Sequence, residues 1–175
     1  MRLVQAVAVA LALLAASPGA AQEPNGSDEI LAQMPKELGG APLQKAPEGI
    51  LMYFLKGPSG EPVVVGVMVD KKDGVFPLEQ MRSFARKSTS SRSGIRKIIR
   101  EGSFATPRWP GAATFFGDYE TSEFSHQHWV VMTGKHVITV LATYDKKKDA
   151  KWSEALVADK IFGGAVIAAG KDKRK

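Results

Sequence analysis

The side chains best suited to chemistry in this sequence are two histidines separated by one residue, His126 and His128. Residues i and i+2 of a β-strand share a face, so both imidazoles could approach one metal ion. A complete site needs a third ligand, and His136 is the nearest other histidine. A two-residue turn at Gly134 would put His136 on the opposite face, and a three-residue loop would leave it about 13 Å along the strand. We therefore predict no metal and no cofactor, and keep a metal site at His126 and His128 as an alternative.

The sequence contains no recognisable catalytic or nucleotide-binding motif. The absence of cysteine excludes disulfides, thiolate nucleophiles and cysteine-ligated metals. The Ser59 segment, Gly-Pro-Ser-Gly, is typical of a turn between strands and lacks the features of a nucleophile elbow. No Gly-x-Gly-x-x-Gly occurs. We predict that the protein is not an enzyme, and a hydrolase with an unrecognised site is a second alternative.

The densest positive charge lies between residues 82 and 100, with Glu101 as the nearest acid. A periodic apolar pattern predicts a helix beginning near Pro77, with its basic residues on the opposite side. This stretch is either a docking surface for an envelope protein or anionic surface, or an ordinary solvated helix face. As binding residues we predict Arg82, Arg86, Arg96 and Lys97.

A second candidate binding element is the loop Pro-Arg-Trp-Pro at residues 107–110, which holds Arg108 and Trp109 between two prolines. Prolines lower the entropic cost of ordering a recognition loop on binding. The alternative is that Trp109 closes an open edge of the core. We predict Arg108 and Trp109 as binding residues.

The N-terminus carries the pattern of a secretory signal peptide. Arg2 precedes an apolar run from Leu3 to Ala16, and Gly19-Ala20-Ala21 provides the small residues of a cleavage site. We predict a signal peptide at 1–21, a flexible leader at 22–41, a single domain at 42–169 and a basic tail at 170–175. The mature chain is expected in the periplasm or secreted, without a transmembrane span. The tail supplies much of the net charge of +6, so nucleic acid is not predicted as a partner.

The region from Phe124 to Tyr144 predicts a β-hairpin at the centre of a sheet. Two runs rich in β-branched and aromatic residues flank Gly134, and both are apolar at nearly every position through their middles. Strands covered on both faces show such continuous runs, whereas half-exposed strands alternate. The hairpin is therefore expected to have other elements packed against each face.

The remaining elements predict an α+β fold. The order is a hairpin, a helix, three strands and a second helix, which gives an antiparallel sheet of about five strands with helices packed on its faces. The first hairpin is predicted at residues 50–69, residues 88–94 as a Ser-rich break, and residues 103–111 as a loop. Residues 95–100 are ambiguous: the spacing of their isoleucines suits a helix, but their shortness and β-branching favour a strand. The final helix is predicted at residues 150–161, and residues 165–169 as a short apolar segment.

The pattern from residue 50 to residue 169 resembles the PsbP-like superfamily, which includes the extrinsic photosystem II subunit and DcrB-like bacterial envelope proteins. The resemblance is carried by Pro110-Gly111-Ala112-Ala113 entering a strand, by the Trp129 strand, by residues 137–143 and by the Trp152 helix. It implies an antiparallel sheet sandwiched by helices, no enzyme activity, and a role in binding or assembly. No functional residue is transferred by it. We therefore expect an exported, non-catalytic binding or assembly module of the bacterial cell envelope.

The predicted cleavage before Gln22 can be tested directly. Expression in a bacterium with an intact export pathway should yield a periplasmic product that lacks residues 1–21. Intact mass and N-terminal sequencing measure this, and a product that retains Leu3 to Ala16 would contradict the prediction.

Overall fold

The computed structural model describes residues 27–46, 49–72, 74, 76–145 and 147–169, so the predicted signal peptide and basic tail lie outside the described residues. Its elements, in chain order, are α1 (Ser27–Ala32), β1 (Glu37–Leu38), β2 (Ala41–Pro42), β3 (Gln44–Lys45), β4 (Leu51–Lys56), β5 (Pro62–Lys71), α2 (Leu78–Ser93), β6 (Ile95–Ala105), β7 (Ala113–Thr121), β8 (Ser125–Met132), β9 (His136–Tyr144), α3 (Lys147–Leu156) and β10 (Val166–Ala169). Helix α3 continues into one π-helical turn at Val157–Ile161.

The architecture is mostly sheet. Strands β3 to β10 form one eight-stranded antiparallel sheet in the order β10-β6-β7-β8-β9-β5-β4-β3, and β1 pairs with β2 in a separate two-stranded sheet. The prediction of a five-stranded α+β fold is therefore wrong. The described residues contain only three short α-helices, and three further strands (β3, β6 and β10) extend the large sheet at its two sides.

The three additional strands differ in how the sequence indicates them. Residues 95–100, which favour a strand but also suit a helix, lie in β6, whereas β3 and β10 were not predicted. Strand β6 carries two irregularities in its pairing with β7, between Ile95 and Lys97 and between Ile98 and Arg100. Each irregularity shifts the side-chain alternation, so the apolar residues no longer show a strand period. The segment predicted as a short apolar end, β10, pairs with β6 from Val166↔Ala105 to Ala169↔Gly102. Four residues are too few for periodicity to identify a strand.

Helix α2 is longer than predicted because its Ser-rich end does not break it. The hydroxyl of Thr89 donates to the carbonyl of Ala85, one turn earlier, at 2.9 Å, so this polar side chain is satisfied within the helix. The helix ends at Gly94, which has φ +62° and donates its backbone N–H to the carbonyl of Ser90. Glycine is favoured at this position because residues with a side chain rarely adopt a positive φ.

Strands β8 and β9 form the centre of the sheet, as the sequence predicts. They occupy the fourth and fifth positions of the eight, and all eight residues of β8 are buried. Met132 pairs with Val137, and the N–H of Thr133 donates to the carbonyl of His136 at 3.0 Å, so the turn consists of Gly134 and Lys135. His136 therefore faces the side opposite to His126 and His128.

The alternation of β8 divides the core into two layers. Trp129 and Val131 point into the larger layer, which also contains Ala150 of α3 and the π-helical residues Val157 and Ile161. Val130 and Met132 point into the second layer, where Met81 and Ala85 of α2 pack against Phe115 and Tyr119. Helices α2 and α3 thus cover opposite faces of the same central strands.

Residues 27–41, part of the leader predicted at residues 22–41, contribute to the larger layer. Ile30, Met34 and Leu38 are buried in it, and Leu38 is fully buried. The phenol of Tyr53 on β4 donates to the carbonyl of Pro35 at 2.6 Å and so holds this segment against the sheet. Burial raises the pKa of Tyr53 to about 12.

None of the helices in the described residues has both the length and the apolar character needed to cross a membrane.

The double-sided burial of β8 predicts that Val131→Asp unfolds the protein. An unpaired carboxylate at a fully buried site costs several kcal/mol, a large part of the stability of a typical domain. Thr133→Asp is the matched control, because Thr133 follows Val131 on the same side of the chain but is exposed. Thermal melts should show a large loss for Val131→Asp alone, and similar melting temperatures for the two variants would contradict the central position of β8.

Candidate functional site

Two of the predicted basic residues meet an acid from another element. Arg82 and Arg86 lie one turn apart on α2, and Glu101 lies on β6. Arg86 donates from Nε and Nη2 to the two carboxylate oxygens of Glu101 at 2.8 and 2.6 Å. Arg82 also pairs with Glu79 on its own helix, and its Nε lies 3.4 Å from Glu101 Oε2 without forming a hydrogen bond. Both arginines therefore contact Glu101 of β6 while their side chains remain partly exposed to solvent.

Glu101 is the centre of this network because a tyrosine also binds it. Tyr119 of β7, fully buried, donates from its hydroxyl to Glu101 Oε1 at 2.7 Å. Gly117 stands directly opposite Glu101 in the β6–β7 register, and a Cβ at Gly117 would overlap the Tyr119 hydroxyl. The glycine therefore leaves the space through which the tyrosine reaches the carboxylate.

The electrostatics of the network follow from these contacts. Burial on its own raises the pKa of Glu101, but hydrogen bonds from Arg86 and Tyr119 and the positive charge of Arg86 and Arg82 outweigh it, so the pKa of Glu101 is lowered. The bond to Glu101 acts in the opposite sense on Arg86, whose pKa is raised. Burial raises the pKa of Tyr119 as well, helped by its bond to the carboxylate. Glu101 is therefore an anion that holds its partners in place.

A shallow surface cleft of about 390 Å³ lies between α2 and the start of β6. It is lined by Glu79, Arg82, Ser83, Arg86, Lys87, Ser90 and Ile95. Arg96 and Lys97, the other two predicted binding residues of the basic segment, follow Ile95 on β6 and do not line the cleft. The Nε and Nη2 edge of Arg86 is used by Glu101, so the guanidinium is held in a fixed orientation with its Nη1 edge turned away from the carboxylate. We call this feature the α2–β6 cleft.

The predicted binding residues Arg108 and Trp109 lie away from the α2–β6 cleft and join separate parts of the fold. The Trp109 ring meets the Phe162 ring edge-to-face at 5.9 Å and packs against the larger core layer. The Arg108 guanidinium lies over Trp109 at 5.9 Å and donates to the carbonyls of Gln33 and Lys160 at 3.3 and 3.4 Å. This geometry matches the alternative in which Trp109 closes an edge of the core.

His126 and His128 lie side by side on the same face of β8, but both are buried rather than exposed. His126 Nδ1 lies 3.0 Å from Thr143 Oγ1, and His128 Nε2 lies 2.9 Å from Thr89 Oγ1. Burial lowers the pKa of His126 to about 4, and burial together with the charge of His126 lowers that of His128 to about 3. Within the described residues, no three His, Cys, Asp or Glu side chains are placed to hold a metal ion. A metal site at this pair would require imidazole nitrogens that an ion can reach, and the burial of both rings does not favour it.

The sequence analysis missed Tyr119 and Thr89, and it noted Glu101 only as a nearby acid. Tyr119 is 18 residues from Glu101, and no spacing rule relates them before the β6–β7 register is known. Gly117 is the one local signal, since a glycine inside an apolar strand often marks close approach of another group.

Comparison with known proteins adds no assignment: no protein-family model matches the chain, and no curated protein is significantly similar to it.

Because His126 and His128 are buried, we predict that the free energy of unfolding falls in mild acid. Because their folded pKa values lie below the unfolded value near 6.5, the unfolded state binds more protons as the pH falls. Between pH 6.5 and 5 the free energy of unfolding should drop by up to about 2 kcal/mol for each histidine. Urea melts across this range measure the drop, and Glu101 contributes in the same direction only at lower pH.

The variant His126→Gln tests the assignment, because it removes one titrating group and keeps a polar side chain. Its free energy of unfolding should depend less steeply on pH between 6.5 and 5 than that of the wild type. His136→Gln is the control, since His136 is only partly buried at the other end of β9. A wild-type stability that is constant over this range would show that the pKa values of His126 and His128 are not lowered.

Proposed function

We propose that this chain is an exported, non-catalytic binding module of the bacterial cell envelope, and that its docking site is the α2–β6 cleft. The observation that carries the proposal is the Arg86 guanidinium, which Glu101 holds in one orientation at the edge of a surface cleft. A cation fixed in this way loses little conformational entropy when a partner binds it.

The partner that best fits the cleft is an acidic segment of another envelope protein. Arginine recognises planar carboxylates through paired donors, and the cleft also offers Lys87 and the hydroxyls of Ser83 and Ser90. Glu79 and Glu101 neutralise part of the positive charge, which makes the site less suited to a broad anionic lipid surface than to one or two carboxylates.

Further cations flank this site without being engaged in the network. Lys87, Arg96 and Lys97 form no ion pair with another described residue, in contrast to Arg82 and Arg86. They would therefore supply the long-range attraction, and Arg86 the fixed contact. Electrostatic attraction of this kind raises association rates and weakens with salt.

The signal peptide supports the proposed location, and the resemblance to PsbP-like proteins supports a binding or assembly role. In the PsbP-like superfamily the fold serves such roles without catalysis. The envelope location remains part of the proposal and is tested by the cleavage experiment described above.

Charge reversal at Lys87 tests the docking site. Lys87→Glu leaves the Arg86–Glu101 pair intact and should weaken binding of a fluorescent hexaglutamate peptide at least tenfold at low salt, measured by fluorescence anisotropy. Wild-type binding should itself weaken between 20 and 200 mM NaCl. Lys148→Glu is the matched control, because it makes the same charge change at an exposed position of α3 on the other face and should bind as the wild type does.

Three results would overturn the proposal. They are equal loss of binding in the Lys87 and Lys148 variants, no measurable peptide binding at low salt, or binding to phosphatidylglycerol vesicles that exceeds binding to the peptide. The last result would assign the cleft to a lipid surface instead.

A further inference from the structure

The α2–β6 cleft contains one apolar side chain that the docking proposal leaves unused. Its lining residues on α2 are all charged or hydroxyl-bearing, and the remaining one is Ile95, the first residue of β6. Ile95 is half-buried: it packs against the second core layer and also lines the cleft. An apolar surface beside fixed charges adds specificity, because it favours a ligand that carries both kinds of group.

The two ends of the cleft differ in charge. At the first turn of α2, Glu79 pairs with Arg82 but leaves most of its own side chain exposed, so a further carboxylate is repelled there. At the opposite end the lining residues are Ser90 and Ile95, which are uncharged. Gly94 donates its backbone N–H to the Ser90 carbonyl, which sets Ile95 beside the last turn of the helix. This end therefore accepts a neutral apolar group.

The cations between these ends set the place where a carboxylate binds. The Arg86 side chain remains 43% exposed although Glu101 holds its guanidinium, and the neighbouring Lys87 is exposed. Ser90 lies four residues beyond Arg86, which is about 6 Å along the helix axis. In an extended peptide, residues i and i+2 face the same side and are separated by about 6.6 Å. A carboxylate bound at Arg86 thus places the side chain two residues away beside Ile95.

We propose that the α2–β6 cleft recognises an extended segment in which an apolar side chain lies two residues from a carboxylate. The carboxylate binds Arg86 and Lys87, and the apolar side chain packs on Ile95. The residue between them points away from the cleft and is not selected. The inference rests on the proposed docking function and adds to it the sequence pattern of the partner segment.

Three fluorescent peptides of equal charge and with blocked ends test this pattern. The in-phase leucine peptide is Glu-Ser-Glu-Ser-Glu-Ser-Leu, the out-of-phase leucine peptide is Glu-Ser-Glu-Ser-Glu-Leu-Ser, and the glutamine peptide is Glu-Ser-Glu-Ser-Glu-Ser-Gln. In fluorescence anisotropy at low salt, the in-phase leucine peptide should bind about three- to tenfold more tightly than the glutamine peptide. The out-of-phase leucine peptide should bind like the glutamine peptide, because its leucine and its carboxylates face opposite sides.

Two variants of the full chain assign the preference to a residue. Ile95→Ala should remove the preference for the in-phase leucine peptide and leave the affinity for the glutamine peptide unchanged, which also shows that the variant is folded with its cations in place. Phe84→Ala is the matched control, because it truncates an exposed apolar side chain of α2 that does not line the cleft. It should bind all three peptides as the wild type does.

Several results would overturn the inference: equal wild-type affinity for the in-phase leucine and glutamine peptides, equal affinity for the two leucine peptides, a preference that survives in Ile95→Ala, or an equal loss of preference in Phe84→Ala. If Lys87→Glu still weakens binding of the glutamine peptide in those cases, the docking function stands without this sequence pattern. If none of the three peptides binds the wild type, the docking function fails and this inference fails with it.

Discussion

The structure depends on the burial of strand β8 on both faces. Its backbone hydrogen bonds are taken up by β7 and β9, and its side chains alternate between the two core layers. The first four residues, from Ser125 to His128, are all polar and all buried. Because a buried polar group must find a partner or pay for its desolvation, this half of the strand constrains what can pack against it.

The partners of these polar residues are supplied largely by the two helices. Gln127 donates to the carbonyl of Ala150 at 3.0 Å and accepts from the hydroxyl of Ser153 at 3.1 Å, which ties α3 to the strand. His128 meets Thr89 of α2 on the opposite face. Hydrophobic contacts alone would let a helix slide along the sheet with little loss, whereas these directional bonds are satisfied in one register only. The polar half of β8 thus sets the position of both helices.

The sequence predicts the parts of this arrangement that depend on local pattern. The unbroken apolar middle of β8 and β9 indicates strands covered on both faces, and Gly134 indicates the turn that separates His136 from the other histidines. The extent of the sheet depends on non-local pairing and is not predictable in the same way. Strand β6 is obscured by its two irregularities, and β10 is too short to show a period.

The candidate site shows the same division between local and non-local information. The positive charge of Arg82 and Arg86 is evident from the sequence, and so is their position on one side of a helix. Their engagement with Glu101 is not, because it depends on how α2 lies across β6. The same holds for Arg108 and Trp109, whose composition is typical of a recognition loop. Their contacts with Phe162, Gln33 and Lys160 depend on three distant segments that meet in the fold.

Helix α2 connects the α2–β6 cleft with the buried polar half of β8. Arg86 faces the α2–β6 cleft, and Thr89, three residues later, faces the sheet and holds His128 in the tautomer that leaves Nδ1 as an acceptor. The ion pair with Glu101 and the bond to His128 both resist displacement of the helix, one from each side. A partner that binds the cleft can shift α2 only by as much as it favours one position of the helix over another. With both bonds in place, α2 is anchored on both of its sides, so the fold presents the cleft already formed.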